Sequence, residues 1–291
     1  MKNKKYYCLA LILVFSMVQT SYAQLERKLV NKNPDVELTF EAPRNINLLT
    51  VEPLGANNLH WAIMHTFGTI DNGGQNLWGI DNGANIRLSF EYGISDRWSV
   101  GFGRSSLDKV YDFYTRYHII KQKLDDSTPL SISAMLNYAV NTSNYKFLGT
   151  ENPTFRQRSS YFGQIMLARK FNKKLSLQIS PMVAYFEDPQ DIFLNNSTEE
   201  INAALGFSGK YRAFGRSTFT VQFIPNLTNG LRPNVGIGYD LEAGGHVFQM
   251  YFVTGSSLNE QYLLSSQNGV VGEGFRLGFN VNRVFSLGSN E

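Results

Sequence analysis

Apolar and polar residues alternate with a period of two along most of this chain. In the clearest stretch Ala84, Ile86, Leu88, Phe90, Tyr92 and Ile94 share one face, and Asn85, Arg87, Ser89, Glu91 and Gly93 share the other. Successive side chains of a strand point to opposite faces, so this pattern predicts a strand with one face in an apolar medium and one in a polar medium. Eleven further segments follow, of which Val247–Thr254 is apolar on both faces and leaves its register open. They start with Leu59–Phe67 and continue with segments around Trp98–Phe102, Tyr111–Ile119, Leu130–Val140 and Tyr161–Phe171. Leu175–Tyr185, Ile201–Tyr211, Phe219–Phe223, Val235–Leu241 and Val247–Thr254 follow. The last puts Phe275, Leu277, Phe279 and Val281 opposite Arg276, Gly278, Asn280 and Asn282, and ends on Phe285.

The segments are about 9–13 residues long, near what a tilted strand needs to cross hydrocarbon. Short links such as Ser95-Asp96-Arg97 and Asn172-Lys173-Lys174 alternate with longer ones such as Thr69–Asn82 and Thr142–Arg158. Transmembrane barrels alternate short periplasmic turns with longer outer loops. The expectation is therefore an all-β, transmembrane antiparallel up-and-down β-barrel of 12 strands over residues 57–291, both ends periplasmic. Two links break the trend: Gln122–Thr128 is long for a turn, and Ser105–Asp108 is short for a loop. Pro181 lies inside a strand with no free edge, which predicts a bulge or a strand count of ten or fourteen. A secreted β-sandwich also alternates, but it needs neither an even hairpin count nor aromatics at each turn.

Lys2, Lys4 and Lys5 precede an apolar run from Tyr6 to Val18, and Ser21-Tyr22-Ala23 offers small residues before a cut between Ala23 and Gln24. Residues 1–23 are expected to be a signal peptide. Residues 24–56 are expected to be a periplasmic extension, folded against the barrel mouth or left as a tail, with a short strand at Val36–Phe40. Cys8 is the only cysteine and lies in the leader, so disulfides and Cys-held metals are excluded from the mature chain. The three leader lysines account for the whole formal charge of +3, which removes the electrostatic case for nucleic acid. The expected address is the outer membrane of a Gram-negative cell after Sec-type export. The expected partners are outer-membrane lipid and the barrel-assembly machinery, with Phe285 as assembly signal; a solute or protein partner stays unknown.

The stretch H-T-F-G-T-I-D-N-G from His65, then N-L-W-G-I-D-N-G-A-N-I-R from Asn76, then Y-G-I-S-D-R-W-S-V-G-F-G-R-S-S from Tyr92, resembles a Bacteroidota family of signal-bearing outer-membrane β-barrels catalogued as a domain of unknown function. The resemblance implies barrel and compartment, and brings no activity, cofactor or catalytic residue. The family usually has an arginine after the histidine; this chain has Thr66.

By parity the inward face carries Arg87, Glu91, Asp112, Arg116, His118, Lys170, Lys210, Arg212, Asp240 and Arg276, interspersed with small residues such as Gly101, Gly206, Gly236 and Gly238. Two readings stay open. Small residues leave a narrow path for small polar or anionic solutes; or the charges pair across the lumen and close it, leaving a structural or docking barrel. A lipid hydrolase would need a histidine-activated serine. The chain has four histidines, and Ser105 and Ser106 lie at a strand end, but no local motif joins them. Asp71-Asn72-Gly73-Gly74 lacks the acidic spacing of a calcium loop and reads as turn chemistry. No enzyme, cofactor or metal is expected.

Overall fold

The computed structural model describes residues 33–71, 73–144, 153–189, 199–265 and 274–288; the expected signal peptide and its cleavage point lie outside them. A small hairpin comes first, β1 (Arg44–Asn45) and β2 (Leu48–Leu49). Twelve long strands follow: β3 (Asn58–Thr69), β4 (Ala84–Gly93), β5 (Trp98–Ser105), β6 (Val110–Ile120), β7 (Ser131–Asn141) and β8 (Ser159–Lys170), then β9 (Leu175–Phe186), β10 (Ile201–Phe214), β11 (Ser217–Ile224), β12 (Asn234–Ala243), β13 (His246–Val253) and β14 (Arg276–Ser286). Each pairs antiparallel with its sequence neighbours, and β14 pairs with β3 to close the barrel. A short helix, α1 (Glu260–Ser265), lies between β13 and β14.

The alternation read from the sequence is the barrel's radial order. In β4 Ile86, Leu88, Phe90 and Tyr92 are exposed, while Arg87, Ser89 and Glu91 are buried. An outer surface of Leu, Ile, Val and Phe would be untenable in water over this area and is ordinary in lipid. Tyr138, Tyr161 and Tyr185 lie side by side across three strands near the loop end, their rings tilted at 5.3 and 6.1 Å between centres. Tyr92, Trp98, Tyr117 and Tyr211 ring the turn end. These are the two aromatic girdles of a membrane barrel.

Pro181 produces neither bulge nor change of count. The β8–β9 register is the same on both sides of it, with Gln164 opposite Met182 and Leu167 opposite Ile179; only the pairs between them are missing. One absent N–H removes a ladder bond, worth about 1 kcal/mol, and the unbroken β9–β10 ladder holds the strand in line.

The long link after β6 also finds its reason. Val36 N–H donates to Gln122 O (2.7 Å) and Leu124 N–H to Pro34 O (3.2 Å), while Lys123 Nζ meets Asp35 at 2.5 Å. This link is where the N-terminal segment docks before turning into the barrel. The expected strand over Val36–Phe40 does not form. The N–H groups of Leu38 and Phe40 go to the Glu52 carboxylate instead of to a neighbouring strand.

Candidate functional site

The N-terminal segment fills the lumen rather than lying outside the mouth. It runs in from the turn end and reverses at Ile46-Asn47, with Ile46 at φ 56°. It returns past Leu54 to β3. Phe40, Ala42, Ile46, Leu48, Leu49, Val51 and Leu54 are all buried. Its backbone is held mainly by wall side chains. Gln222 Oε1 accepts from Asn47 N (3.0 Å) and Leu48 N (3.1 Å). Gln178 accepts from Val51 N (2.8 Å) and donates to Leu49 O (2.8 Å). Asn280 donates to Ile46 O and Gln249 to Arg44 O. A two-residue hairpin could not satisfy its own backbone inside a barrel, so the polar wall does so.

From the loop end a second segment descends, carrying α1. Asn259, Glu260, Gln261, Tyr262, Leu263 and Leu264 are all buried. The Tyr262 ring meets Phe186 edge-on at 5.4 Å. One apolar cluster joins Phe40, Leu48 and Val51 of the hairpin, Tyr262 and Leu263 of the helix, and Met135, Met166, Met182, Phe162 and Phe186 of the wall. The small inward residues do not leave a path. A Cβ on Gly206 would come 3.1 Å from Leu48, and one on Gly236 would come 3.2 Å from Ile46, so these glycines make room for the plug.

Most of the inward charges are paired. Arg87 forms a bidentate pair with Asp112 (Nη2–Oδ1 2.8 Å) and reaches Glu260 at 3.6 Å. Arg44, from the hairpin, pairs with Glu260, from the helix, so the two plugging segments are tied to each other. Arg116 grips Glu91 through Nε (3.0 Å) and Nη2 (2.6 Å) and donates to Thr50 O. Nearer the turn end Lys210 (2.9 Å) and Arg212 (2.6 Å) share Glu41, and Lys170 caps the carbonyls of Glu37 and Leu38. Asp240 accepts from Gln249 (2.8 Å). Arg276 donates to Phe67 O (3.2 Å) and has no ion pair among the described residues. Burial alone would raise the pKa of Glu41 and of Glu260. Lys210 and Arg212 outweigh it at Glu41, and Arg44 and Arg87 at Glu260, so both carboxyls are held below the usual range.

Several of these residues were invisible from the sequence. Glu41, Arg44 and Glu260 lie in segments without strand periodicity. One available signal was the run of large apolar inward residues Met135, Met166, Met182 and Phe162, which no aqueous channel wall needs. His118, expected on the inward face, bonds Ser133 (2.7 Å). Both are buried beside a cavity of about 10 Å³, which leaves no room for a lipid ester. His65 lies within β3, its ring stacked on Phe279 at 4.2 Å. Asp71 accepts from Gly274 N–H (2.9 Å) and so pins the loop ends together. Among the described residues no group of three or more His, Cys, Asp or Glu side chains could hold a metal.

A family model described as a membrane bound beta barrel domain (DUF5777) matches residues 40–285. The chain belongs to this family. The match begins at Phe40, ahead of the plug hairpin, so it spans the hairpin as well as the wall. Among solved structures the KdgM porin is similar at a TM-score of 0.50 and 8% identity, over 78% of this chain and 99% of the porin. The NanC porin gives 0.49 and 9%, over 77% and 98%. An outer membrane channel from Pseudomonas putida F1 gives 0.49 and 14%, over 80% and 97%. At these identities the likeness concerns the barrel fold alone. No curated protein matches the chain.

Proposed function

We propose that this DUF5777 protein is an outer-membrane β-barrel that stands closed, its lumen plugged by its own N-terminal hairpin and by the β13–β14 segment. The observation that carries this reading is the Arg44–Glu260 ion pair at the meeting point of the two plugs, backed by Arg87 and Asp112 of the wall. A closed lumen favours a structural or docking role over a standing pore.

A second reading has its own support. The wall around the plug is rich in Ser, Thr, Gln and Asn, and the hairpin is held by hydrogen bonds to side chains rather than by strand pairing with the wall. Such a wall could take water if the hairpin withdrew, which makes the plug a gate for small solutes.

Conductance of the refolded full-length protein in a planar bilayer tests both. The wild type is expected to be silent. Arg44→Ala combined with Glu41→Gln, which frees the hairpin from α1 and from Lys210 and Arg212, is expected to give openings if the plug is a gate and none if the barrel is a permanent scaffold. Steady conductance of well-folded wild type would overturn the closed reading.

A further inference from the structure

Three irregularities of this barrel meet at one place on its loop end. The first is a bulge on β3. Arg276 stands opposite Thr69 and Gly278 opposite Thr66, so Leu277 faces two residues, Phe67 and Gly68. Bulges re-aim side chains and are common beside functional sites. This one brings the Arg276 guanidinium over Phe67 O. The second is a close backbone crossing. A Cβ on Gly68 would lie 2.5 Å from Asn82 Cβ, and one on Gly79 would lie 2.2 Å from Gly68 O, so only glycine fits either position. The first long loop is thereby clamped down. In it Leu77 and Trp78, both large, sit in the left-handed region at φ 47° and 51°. Such residues cost about 1–3 kcal/mol each and persist only where the surroundings over-determine them. The third is the unusually short β5–β6 link, whose Ser106 hydroxyl caps Ile86 N–H (2.8 Å) and bonds Asn85.

Between them these features enclose a cup of about 460 Å³. Its polar lining comes from Thr66, Asn82, Asn85, Ser106, Ser256 and Arg276, and among the described residues no carboxylate lines it. Asn85 also donates to Ser256 O (2.9 Å), which ties the cup to the segment that leads to α1.

Arg276 differs from the other inward cations. Arg87, Arg116, Lys210 and Arg212 each meet a carboxylate, and Lys170 meets two carbonyls. Arg276 has a single carbonyl, and its buried Nε has no partner among the described residues. Asp71 is near enough to act on it electrostatically but makes no ion pair with it. A half-buried guanidinium without a directly paired carboxylate is costly to keep, and its planar fork suits a two-oxygen anion.

We propose that this cup is a binding site for small solutes bearing an oxyanion group, carboxylate or phosphate, with Arg276 supplying the counter-charge and the side-chain amides of Asn82 and Asn85 the further hydrogen bonds. The site sits on the loop side of the plugs, so it is independent of whether the lumen ever conducts.

The test uses refolded full-length protein. Glutarate, its neutral diamide and inorganic phosphate are titrated calorimetrically. Glutarate or phosphate is expected to bind and the diamide not. Arg276→Gln is expected to lose at least tenfold in affinity, Arg276→Lys less, and Lys173→Gln, at the opposite end, nothing. A second measurement needs no variant: phenylglyoxal labelling of wild-type Arg276, read by mass spectrometry, is expected to fall when the bound anion is present. Equal heats for glutarate and diamide, or labelling of Arg276 unaffected by saturating glutarate and phosphate, would overturn the site. Preference for phosphate over glutarate would assign the phosphate branch, and the reverse the carboxylate branch.

Discussion

At the scale of single residues the lumen is organised by buried ion pairs that join separate parts of the chain. Arg44 and Glu260 are 216 residues apart in sequence and are both fully enclosed. Such a pair is poor evidence of net stabilisation, because each charge must be taken out of water. Removing Arg44, however, leaves the buried Glu260 with only the more distant Arg87, at 3.6 Å, as counter-charge. Arg44→Ala is therefore expected to lower stability by roughly 3–5 kcal/mol, measured by urea unfolding in liposomes. Arg44→Met together with Glu260→Leu should recover much of the loss. A double variant no better than the single would mean that the loss does not arise from the Arg44–Glu260 charge couple.

At the scale of elements each strand has two intolerant faces, for different reasons. Leu136 points outward and is 66% exposed, so Leu136→Arg near the midplane should cost roughly 2–4 kcal/mol through contact with lipid. Its neighbour Asn137 points inward. In an open channel Asn137→Arg would be cheap. Here Asn137 donates to Asp112 (3.2 Å) and Glu260 (3.3 Å) and accepts from Gln261 (2.8 Å) inside a packed lumen. Asn137→Arg is thus expected to cost as much as Leu136→Arg, through overpacking and broken hydrogen bonds. Unfolding in liposomes separates the cases: a tolerated arginine at 137 would mean the lumen is not filled.

At the scale of the whole molecule the barrel closes only when its last strand meets its first. Phe285 stands opposite Leu59, and the Arg283 guanidinium lies 4.6 Å over the Phe285 ring. Deletion from Phe275 onward removes β14 and exposes the edges of β3 and β13 at once. The truncated chain is expected to stay in the periplasm, read by cell fractionation; normal outer-membrane levels would refute an assembly role for this strand. Phe285→Ala, which keeps the backbone ladder, should have a smaller effect.

The amino-acid sequence by itself determined the wall. Period-two alternation, link lengths and aromatic placement specify the twelve strands, their register parity and closure, because each strand must separate lipid from the interior along its own length. It also marked Arg87, Glu91, Asp112, Arg116 and Arg276 as inward by counting alone. Only the tertiary structure decided what the inside contains. The plug hairpin at 44–49 and the helix at 260–265 are too short and aperiodic to announce themselves. The backbone of the hairpin segment is satisfied by Gln178, Gln222, Gln249 and Asn280, on strands more than a hundred residues away from it in sequence. The sequence also presents Gly206 and Gly236 as gaps, whereas the fold shows them as seats for Leu48 and Ile46. Periodicity reports which medium a residue faces; whether that polar interior holds water or the chain's own folded segment depends on long-range contacts that no local pattern encodes.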